Sequence, residues 1–568
     1  MKKTLELTLP PEIAYDEHQL HQYLLTHLFI KDHNKFHVRL LKRSIDARSR
    51  NIKVNLQADV YVDELPEPLL QYQYEYKDVS NAKQAIIVGA GPAGLFAALR
   101  LIELGIKPII IERGKDVQER RRDLANINKK NIVNENSNYC FGEGGAGTYS
   151  DGKLYTRSKK RGDIRRILEI MVAHGAAEEI LYEAHPHIGT NKLPKLIQEI
   201  RQTILHYGGE IHFNTKVVDV IVEDKEVKGV VAEQIEKHAS EQSFLQRTLH
   251  SDTQSPLRET LLRKNPLSRG EAVLQSSSSG AGGFNGIGVI LATGHSARDI
   301  FELLHHRNIL IEAKPFALGV RIEHQQSLID SIQYKCIDRG IYLPAASYSL
   351  VEQVKLGMHQ KGVFSFCMCP GGFIVPSATN QHEIVVNGMS PSKRDSPYSN
   401  SGMVVAVDET DWKDFTQFGP LAAMEYQKSV EQKAWQVAGQ TQTAPAQKMQ
   451  DFVNKKISSS LLETSYQPGL VSMEIRDFLP KDIAFCLQEG FKSFGNKMRG
   501  YLTNNAQIIG VESRTSSPVK IPRDRETFEH VNTKRLFPCA EGAGYAGGIM
   551  SAAMDGERCA EKLAELYG

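Results

Sequence analysis

The spacing of apolar residues predicts a small α+β unit at the start of the chain. Alternating apolar and polar residues indicate strands, and an apolar repeat of three to four residues indicates a helix. The predicted order is strand, helix, strand, strand, over residues 4–9, 17–28, 36–41 and 52–62. Because a polar stretch follows over residues 76–84, the pattern predicts a separate βαββ domain at residues 1–75.

The next pattern, at residues 85–113, is the most specific in the chain. An apolar strand at residues 85–88 precedes a helical repeat, and a second apolar strand at residues 109–111 ends in Glu112. Between the first strand and the helix lie three glycines with the spacing of a dinucleotide-binding turn, Gly89, Gly91 and Gly94. The pattern predicts a Rossmann βαβ unit that places phosphates at a helix N-terminus and Glu112 on ribose hydroxyls.

Glycine-rich, hairpin and strand patterns follow the Rossmann unit. Five glycines make residues 141–157 a loop whose backbone can pass close to a flat cofactor. Residues 208–233 alternate as a strand and a hairpin, and an apolar strand in residues 288–300 ends in Ala292, Thr293 and Gly294. The serine-rich residues 234–285 show no apolar period, so we predict an insertion that is largely loop.

The second half of the chain has a different pattern of apolar residues. Strand-like and helical segments alternate over residues 314–525, which is typical of a mixed sheet with helices. Residues 535–563 return to a strand, an acid-glycine turn and a helix that begins near Gly547 or Gly548. The predicted fold is α/β. A discontinuous Rossmann-type domain at residues 83–313 and 526–568 encloses a mixed α+β substrate or capping domain at residues 314–525.

Composition is that of an ordinary globular protein. The 568 residues are 41% hydrophobic and 24% charged, and the net charge of +2 gives no general case for nucleic-acid or membrane binding. A membrane span needs about 18–20 apolar residues, and no stretch of the sequence approaches that length. The N-terminus does not resemble a signal peptide. Seven scattered cysteines predict reduced thiols and a cytoplasmic location.

Three separated motifs then agree with one another. GAGPAG with Glu112 and Arg113, the ATG turn, and CAEGAGYAGGI resemble the FAD-binding signature of glutathione-reductase-like flavoproteins with a single Rossmann domain. GGAGTYSDGKL, ATGHSARD, FCMCPGGFIV and EGAGYAGGI more closely resemble a bacterial family of FAD-dependent dehydrogenases with a small N-terminal domain and a characteristic C-terminal domain. The resemblance implies FAD as cofactor and a discontinuous FAD domain. It implies no substrate, because one fold carries many chemistries.

The motifs and the resemblance together predict which residues bind FAD. The resemblance implies that residues 216–218 pass the adenine, and that the start of the last helix faces the pyrimidine edge of the flavin. The predicted set is Gly89, Ala90, Gly91, Pro92, Ala93, Gly94, Glu112, Arg113, Gly145, Thr148, Ser150, Asp151, Lys153, Lys216, Val217, Val218, Ala292, Thr293, Gly294, Glu541, Gly542, Gly547, Gly548 and Ile549. A metal site is not predicted.

Four residues are candidates for chemistry. His295 is a candidate proton carrier or a backbone hydrogen-bond partner, and Lys153 is a candidate positive charge near the flavin or a phosphate contact. Cys367 and Cys369 are either pocket-lining thiols, which we favour, or a reactive pair next to the flavin. Weaker candidates, each with a solvent or packing alternative, are Lys393, Arg394 and Tyr545.

The sequence predicts an FAD-dependent oxidoreductase that moves a hydride between the flavin and a small organic substrate or a nicotinamide. Because no second dinucleotide unit is present, NADH or NADPH would bind transiently in the substrate cleft. One alternative is a flavoprotein that binds RNA through the basic cluster at residues 39–53 and modifies a base. Another is a binding protein that senses redox state. The oligomeric state and the electron acceptor stay open.

Overall fold

The computed structural model describes residues 1–30, 36–72, 75–155, 162–235 and 281–568. The predicted insertion at residues 234–285 lies mostly outside these ranges, but both of its described ends belong to strands. Residues 281–285 pair with residues 229–233 in an antiparallel ladder, so the prediction of loop was wrong there. The glycines of AGGFN concealed this strand because glycine has a low strand propensity.

The first region is a three-stranded antiparallel sheet packed against two helices. Its elements are β1 (Lys2–Leu9), α1 (Pro11–Ala14), α2 (Glu17–His27), β2 (Phe36–Asp46) and β3 (Lys53–Val62). The sheet order is β1-β3-β2. Asp16 caps α2 by accepting a hydrogen bond from the Gln19 backbone N–H at 2.9 Å, and Leu20 and Leu24 pack onto the sheet.

The Rossmann region supplies a parallel sheet and an antiparallel hairpin layer. Its elements are β4 (Gln84–Val88), α3 (Pro92–Leu104), β5 (Lys107–Ile111), α4 (Val117–Lys130), α5 (Ile164–Ala173), α6 (Leu193–His206), β6 (Glu210–His212), β7 (Thr215–Glu223), β8 (Glu226–Gln234), β9 (Ala281–Asn285), β10 (Val289–Leu291) and α7 (Arg298–His306). Short 3-10 turns occupy Gly145–Gly147 and Glu178–Leu181. Strands β7, β8 and β9 form a separate three-stranded sheet.

The second half contains the largest sheet and returns to the first at its end. Its elements are β11 (Glu312–Ala313), β12 (Phe316–Gln325), α8 (Gln326–Tyr334), β13 (Val351–Leu356), β14 (His359–Cys369), β15 (Phe373–Pro376), β16 (Val386–Met389), β17 (Tyr398–Val407), α9 (Ala422–Val437), β18 (Ala444–Lys448), α10 (Met449–Val453), β19 (Leu470–Ser472), α11 (Lys481–Lys497), β20 (Ala506–Glu512), β21 (Val519–Lys520), β22 (Leu536–Pro538) and α12 (Ile549–Tyr567). Two 3-10 segments lie at Lys413–Leu421 and Ile475–Asp477.

Sheet topology explains how distant motifs meet. The parallel sheet has the order β22-β10-β4-β5-β6, so the last strand of the chain lies beside β10, and β10 lies beside the first Rossmann strand. The carboxyl ends of parallel strands share one edge of a sheet, which is where ligands bind in open α/β folds. The seven-stranded sheet has the order β13-β14-β17-β12-β20-β18-β19 and surrounds its own core.

One predicted strand was displaced in the second half. The apolar pattern predicted a strand from residue 383 to 386, whereas β16 begins at Val386 and ends at Met389. Glu383 is buried for a different reason, because its carboxylate accepts hydrogen bonds from Arg298 and Arg514. The burial of Glu383 thus reflects its ion pairs and not a position in a strand. None of the helices in the described ranges has the length and apolar content that a bilayer crossing needs.

Acidic pH should destabilise the second-half core through His324. This side chain is fully buried on β12, its Nε2 lies 3.0 Å from the Tyr501 carbonyl, and burial lowers the pKa of the imidazole from 6.5 to about 4. Between those values the unfolded chain binds more protons than the folded one, so stability falls as pH falls, by about 3 kcal/mol in all.

Replacing His324 should remove that dependence. In His324→Gln the amide nitrogen can donate to the same carbonyl but does not titrate, so we expect a smaller change in urea midpoint between about pH 7 and about pH 4.5. His206→Gln, on an exposed helix position, is the matched control and should follow the wild type. A variant with the wild-type pH slope would contradict the assignment.

Candidate functional site

The three glycines of the first turn have three different surroundings. Gly89 has φ +104°, and a Cβ built there would lie 2.8 Å from the Ala292 carbonyl oxygen. A Cβ at Gly94 would lie 2.0 Å from the Gly89 carbonyl oxygen, so only glycine lets α3 pack this closely. A Cβ at Gly91 would meet nothing within 4 Å, and Gly91 lines a cleft that other predicted residues also line. That free space is where the motif predicts a pyrophosphate.

Glu112 holds the turn together at one end of this cleft. Its carboxylate accepts hydrogen bonds from the backbone N–H groups of Ala90 at 2.8 Å, Gly114 at 2.8 Å and Gly142 at 3.0 Å. Three of about four acceptor positions are used, and the side chain still lines the cleft. Glu112 therefore organises the turn and the glycine-rich loop in addition to the role in ribose binding that the sequence predicts.

The neighbouring cations at this end are paired. Arg113 donates to Asp299 at 2.9 Å and lies over the Phe141 ring, 4.3 Å from its centroid. Lys216 forms a second ion pair with Asp299 at 3.1 Å. Asp299 and Phe141 were not predicted from the sequence. Both line the cleft together with Arg113 and Lys216, so this end has an aromatic side chain and a charged rim.

The glycine-rich loop lies over the start of α3. The Gly144 N–H donates to the Ala90 carbonyl at 2.8 Å, and Gly145 packs against the Gly91 backbone. Gly144 and Gly145 have φ values of +76° and +58°, a left-handed backbone that other residues seldom adopt. Thr148 is buried and donates to the Glu143 carbonyl at 2.8 Å, so it stabilises the loop from behind.

At the opposite end, Glu541 connects the last helix with His295. The Glu541 carboxylate accepts from the Gly548 N–H, which caps α12, and lies 3.0 Å from His295 Nδ1. His295 Nε2 lies 3.0 Å from the Arg514 carbonyl. These two contacts fix the orientation of the His295 ring. Burial opposes ionisation of Glu541, but the bond to His295 lowers the pKa of this carboxyl.

The polar wall at this end comes from the loop after Ser150. Asp151 forms a two-bonded ion pair with Arg394, whose Nη2 is 2.6 Å from the carboxylate, and Lys153 Nζ lies 3.5 Å away. Burial opposes ionisation, but Lys153 and Arg394 lower the pKa of Asp151. Lys153 also donates to the Met368 carbonyl. Arg394, predicted as an anion-binding candidate, is therefore occupied by Asp151.

Most of the predicted site residues meet along this single cleft. It contains about 1560 Å³ of space without protein atoms, part of it open to solvent. The predicted residues that line it are Gly89, Gly91, Pro92, Ala93, Glu112, Arg113, Gly145, Ser150, Asp151, Lys153, Lys216, Val217, Ala292, Thr293, Gly294, His295, Cys367, Glu541, Gly548 and Ile549.

Seven predicted residues are not among those that line the cleft in the described part of the chain: Ala90, Gly94, Thr148, Val218, Cys369, Gly542 and Gly547. Several of them support the residues that do. A Cβ at Gly542, for example, would lie 1.8 Å from the Thr293 carbonyl oxygen, so this glycine lets two turns touch. The sequence missed Cys140, Asn387, Arg514 and Thr515, which reach the cleft through tertiary folding and carry no local motif.

These surroundings fit FAD. Two helix N-termini, those of α3 and α12, border the cleft through Pro92 and Ile549, and each favours negative charge. The space left at Gly91 suits a phosphate group, and Glu112 offers an acceptor for a hydroxyl. Tyr545 does not line the cleft among the described residues; its ring packs on Arg523 at 4.1 Å.

One cluster of buried cysteine and aspartate side chains resembles a metal site, but an arginine side chain already binds its carboxylate. Cys539, Asp555 and Cys559 are buried with their ligand atoms within 4.8 Å of one another. Arg523 donates to both Asp555 oxygens, at 2.8 and 2.7 Å, and lies 3.5 Å from the Cys559 sulfur. A guanidinium already satisfies the carboxylate, so these residues do not suit a cation.

Comparisons with solved structures give low similarity. The flavin-dependent brominase Bmp2 aligns with a TM-score of 0.35 and 12% identity over 85% of this chain and 79% of its own. A geranylgeranyl bacteriochlorophyll reductase-like protein from Thermoplasma acidophilum aligns with a TM-score of 0.32 and 10% identity, over 85% of this chain and 78% of its own.

Sequence families and relatives are more informative. The family described as FAD-dependent protein, C-terminal domain-like, matches residues 315–515, an FAD binding domain matches residues 82–129, and a domain of unknown function matches residues 1–61. The prediction of FAD as cofactor is confirmed. A thiamine thiazole synthase from Aeropyrum pernix is 30% identical over 169 residues, 30% of this chain and 50% of that protein. An uncharacterized protein from Clostridium beijerinckii is 36% identical over 547 residues, 93% of this chain and 92% of its own. The chain belongs to the family of this Clostridium beijerinckii protein, and it is an FAD-binding protein.

Proposed function

We propose that this protein is an FAD-dependent oxidoreductase that passes a hydride between its flavin and a small organic substrate or a nicotinamide. The supporting observation is that the cleft extends beyond the nucleotide-binding motifs to a polar end. Lys153, Cys367 and Asn387 come together there from different parts of the chain. A cleft with an apolar body and a few convergent polar groups is typical of a substrate site.

The chain's own residues would prepare this end for the substrate. FAD, when bound, supplies the hydride chemistry at its ring. Lys153 contributes a positive charge, and its contacts with Asp151 and the Met368 carbonyl fix the position of that charge. Burial opposes protonation, but the cysteines at 367 and 369 and Asp151 raise the pKa of Lys153, so the amine keeps its proton.

His295 would act here mainly by position. Its two ring nitrogens already have partners within the protein, Glu541 and the Arg514 carbonyl. In the proposed site His295 therefore holds the start of α12 at the cleft through Glu541, rather than carrying a proton. The cytoplasmic location stays a prediction from the sequence.

The test is an anaerobic absorbance measurement on the purified, FAD-containing protein. Adding NADH or NADPH should bleach the flavin spectrum if a nicotinamide is the hydride donor. A panel of small alcohols, amines and hydroxy acids should bleach it if the donor is organic. A flavin that chemical reductants bleach but that no member of either group reduces would count against the proposal.

The RNA alternative receives less support from the basic cluster. Arg43 donates to Glu183 at 2.7 Å and stacks between Tyr15 and Tyr182, so it joins the first region to the Rossmann region. Arg48 pairs with Asp46 at 2.6 Å. Arg43 is thus engaged within the protein, whereas the Arg48 side chain is 90% exposed, so only part of the cluster has a structural role.

A further inference from the structure

Cys367 and Cys369 stand where strand β14 reaches the cleft. Between Phe366 and Cys369 the strand shifts register against β17, and Cys367 has φ +45°, so the end of the strand bulges. Cys367 lines the cleft, and Cys369 is completely buried behind it. The bulge therefore presents one sulfur to the cofactor cleft and keeps the other inside the protein.

The bulge also brings the two side chains together. In a regular strand, residues two apart are separated by about 6.6 Å between Cα atoms, close to the upper limit for a disulfide. Here the Cys369 thiol donates to the Cys367 carbonyl at 3.2 Å, and the two side chains are hydrogen-bonded to each other. Both cysteines are free thiols in this structure.

Two cations lie against this pair. Arg321 is fully buried and donates to the Cys367 carbonyl at 2.7 Å and to the Cys369 sulfur at 3.7 Å. Lys153 donates to the carbonyl of Met368, the residue between the two cysteines. Arg321 is balanced by Glu512 at 2.6 Å, whose pKa burial raises to about 7 in spite of this partner. Two cations thus lie next to the sulfurs, each with a carboxylate partner, Glu512 for Arg321 and Asp151 for Lys153.

These contacts assign the charge within the pair. The hydrogen bond from Cys369, aided by Lys153 and Arg321 against the effect of burial, places the pKa of the Cys367 thiol well below its usual value. The same bond and burial place the pKa of the Cys369 thiol well above its usual value. Of the two thiols, the one that faces the cleft is therefore the more acidic, and the inner thiol holds its proton more tightly.

We propose that Cys367 and Cys369 form a dithiol–disulfide couple in the cofactor cleft, with Cys367 as the sulfur that exchanges with a small disulfide or thiol. In the exchange the Cys367 thiolate attacks one sulfur of the disulfide and releases one thiolate. Cys369 then attacks Cys367, the mixed disulfide breaks, and the second half leaves as a thiol with the proton of Cys369.

The same couple can pass its electrons to the cofactor. Closing the Cys367–Cys369 bond from one thiolate and one thiol releases two electrons and one proton, and FAD, when bound in its oxidised form, would supply the acceptor. Only this transfer of electrons to FAD rests on the proposed oxidoreductase function. The closed ring is small, which favours an oxidising, easily reduced disulfide.

The test counts electrons in the complete FAD-containing protein. The protein is treated with oxidised glutathione, desalted, and titrated anaerobically with dithionite while the flavin spectrum is recorded. We expect about two two-electron equivalents per FAD for the wild type and about one for Cys367→Ser, whereas Cys369→Ser should keep glutathione bound to Cys367 as a mixed disulfide that mass spectrometry detects. Cys336→Ser, which removes a thiol outside the cleft, should need as many equivalents as the wild type.

Peptide mass spectrometry without reduction provides the second readout. A peptide with a bond between Cys367 and Cys369 should appear after oxidation and disappear after the titration. Uptake of about one equivalent by the wild type together with no such peptide would overturn the couple. That result would leave the proposed hydride transfer intact, because the flavin itself would still be reduced. Conversely, a flavin that no organic donor or nicotinamide reduces would count against the hydride proposal alone.

Discussion

Gly91→Leu should abolish FAD retention while leaving the fold unchanged. The position has φ −73° and ψ −178°, an extended backbone that leucine adopts without strain, and a Cβ there meets nothing within 4 Å. The added side chain would fill the space that we assign to the pyrophosphate. We expect FAD binding to weaken at least about 100-fold, which corresponds to about 2.8 kcal/mol.

Two other glycines separate cofactor loss from misfolding. Gly94→Ala places a Cβ 2.0 Å from the Gly89 carbonyl oxygen, so it should lower stability by about 1–3 kcal/mol as well as FAD content. Gly282→Leu, at an open position on the exposed strand β9, should change neither. The measurements are FAD per protein after desalting and the thermal unfolding temperature of the cofactor-free proteins. A Gly91→Leu protein with a full complement of FAD would refute the location of the pyrophosphate.

The Rossmann turn could be predicted from the sequence because its chemistry is local. Gly94 must be glycine because of the Gly89 carbonyl five residues earlier, Gly89 has a positive φ in the turn itself, and Glu112 directly follows a strand paired with the first. The same holds for the capped start of α12. In each case the residue type, its spacing and its structural role belong to one supersecondary unit.

The polar end of the cleft could not be predicted in this way. Arg514 reaches the site from the end of β20 and acts through its backbone carbonyl, which carries no sequence signal. Arg394 has the positive charge that an anion site needs, but Asp151, 243 residues earlier in the chain, already pairs with it. The bulge that pairs Cys367 with Cys369 depends on the register of β14 against β17, which a single sequence does not specify.

A buried ion network behind the cleft joins the two halves of the protein. Glu431, on α9, lies 2.8 Å from Arg298 of α7 and 3.0 Å from Arg514. Glu383 bonds to the same two arginines at 2.8 and 2.9 Å. Burial opposes ionisation, but Arg298 and Arg514 lower the pKa of Glu431 to about 2. Two arginines and two glutamates thus balance one another where the Rossmann region meets the second half.

Glu431→Gln should be one of the most destabilising single changes in this chain. The amide keeps the size of the side chain but leaves two buried guanidinium groups with one carboxylate, and breaking such a buried pair costs about 3–5 kcal/mol. Glu425→Gln, on the same helix and partly exposed with Lys428 at 3.7 Å, should cost less than about 1 kcal/mol. Urea unfolding midpoints of the FAD-containing proteins at neutral pH provide the comparison.

The pH dependence of this pair of variants gives the stricter test. A carboxyl with a folded pKa near 2 and an unfolded value of 4.5 stabilises the fold above the higher value, and this contribution is lost as pH falls through the lower one. Glu431→Gln should therefore lose less stability than the wild type on acidification below about pH 4.5, whereas Glu425→Gln should follow the wild type. Because the Arg514 carbonyl also holds His295, we expect weaker FAD binding in Glu431→Gln. Equal stability of Glu431→Gln and Glu425→Gln would show that the arginines do not depend on Glu431.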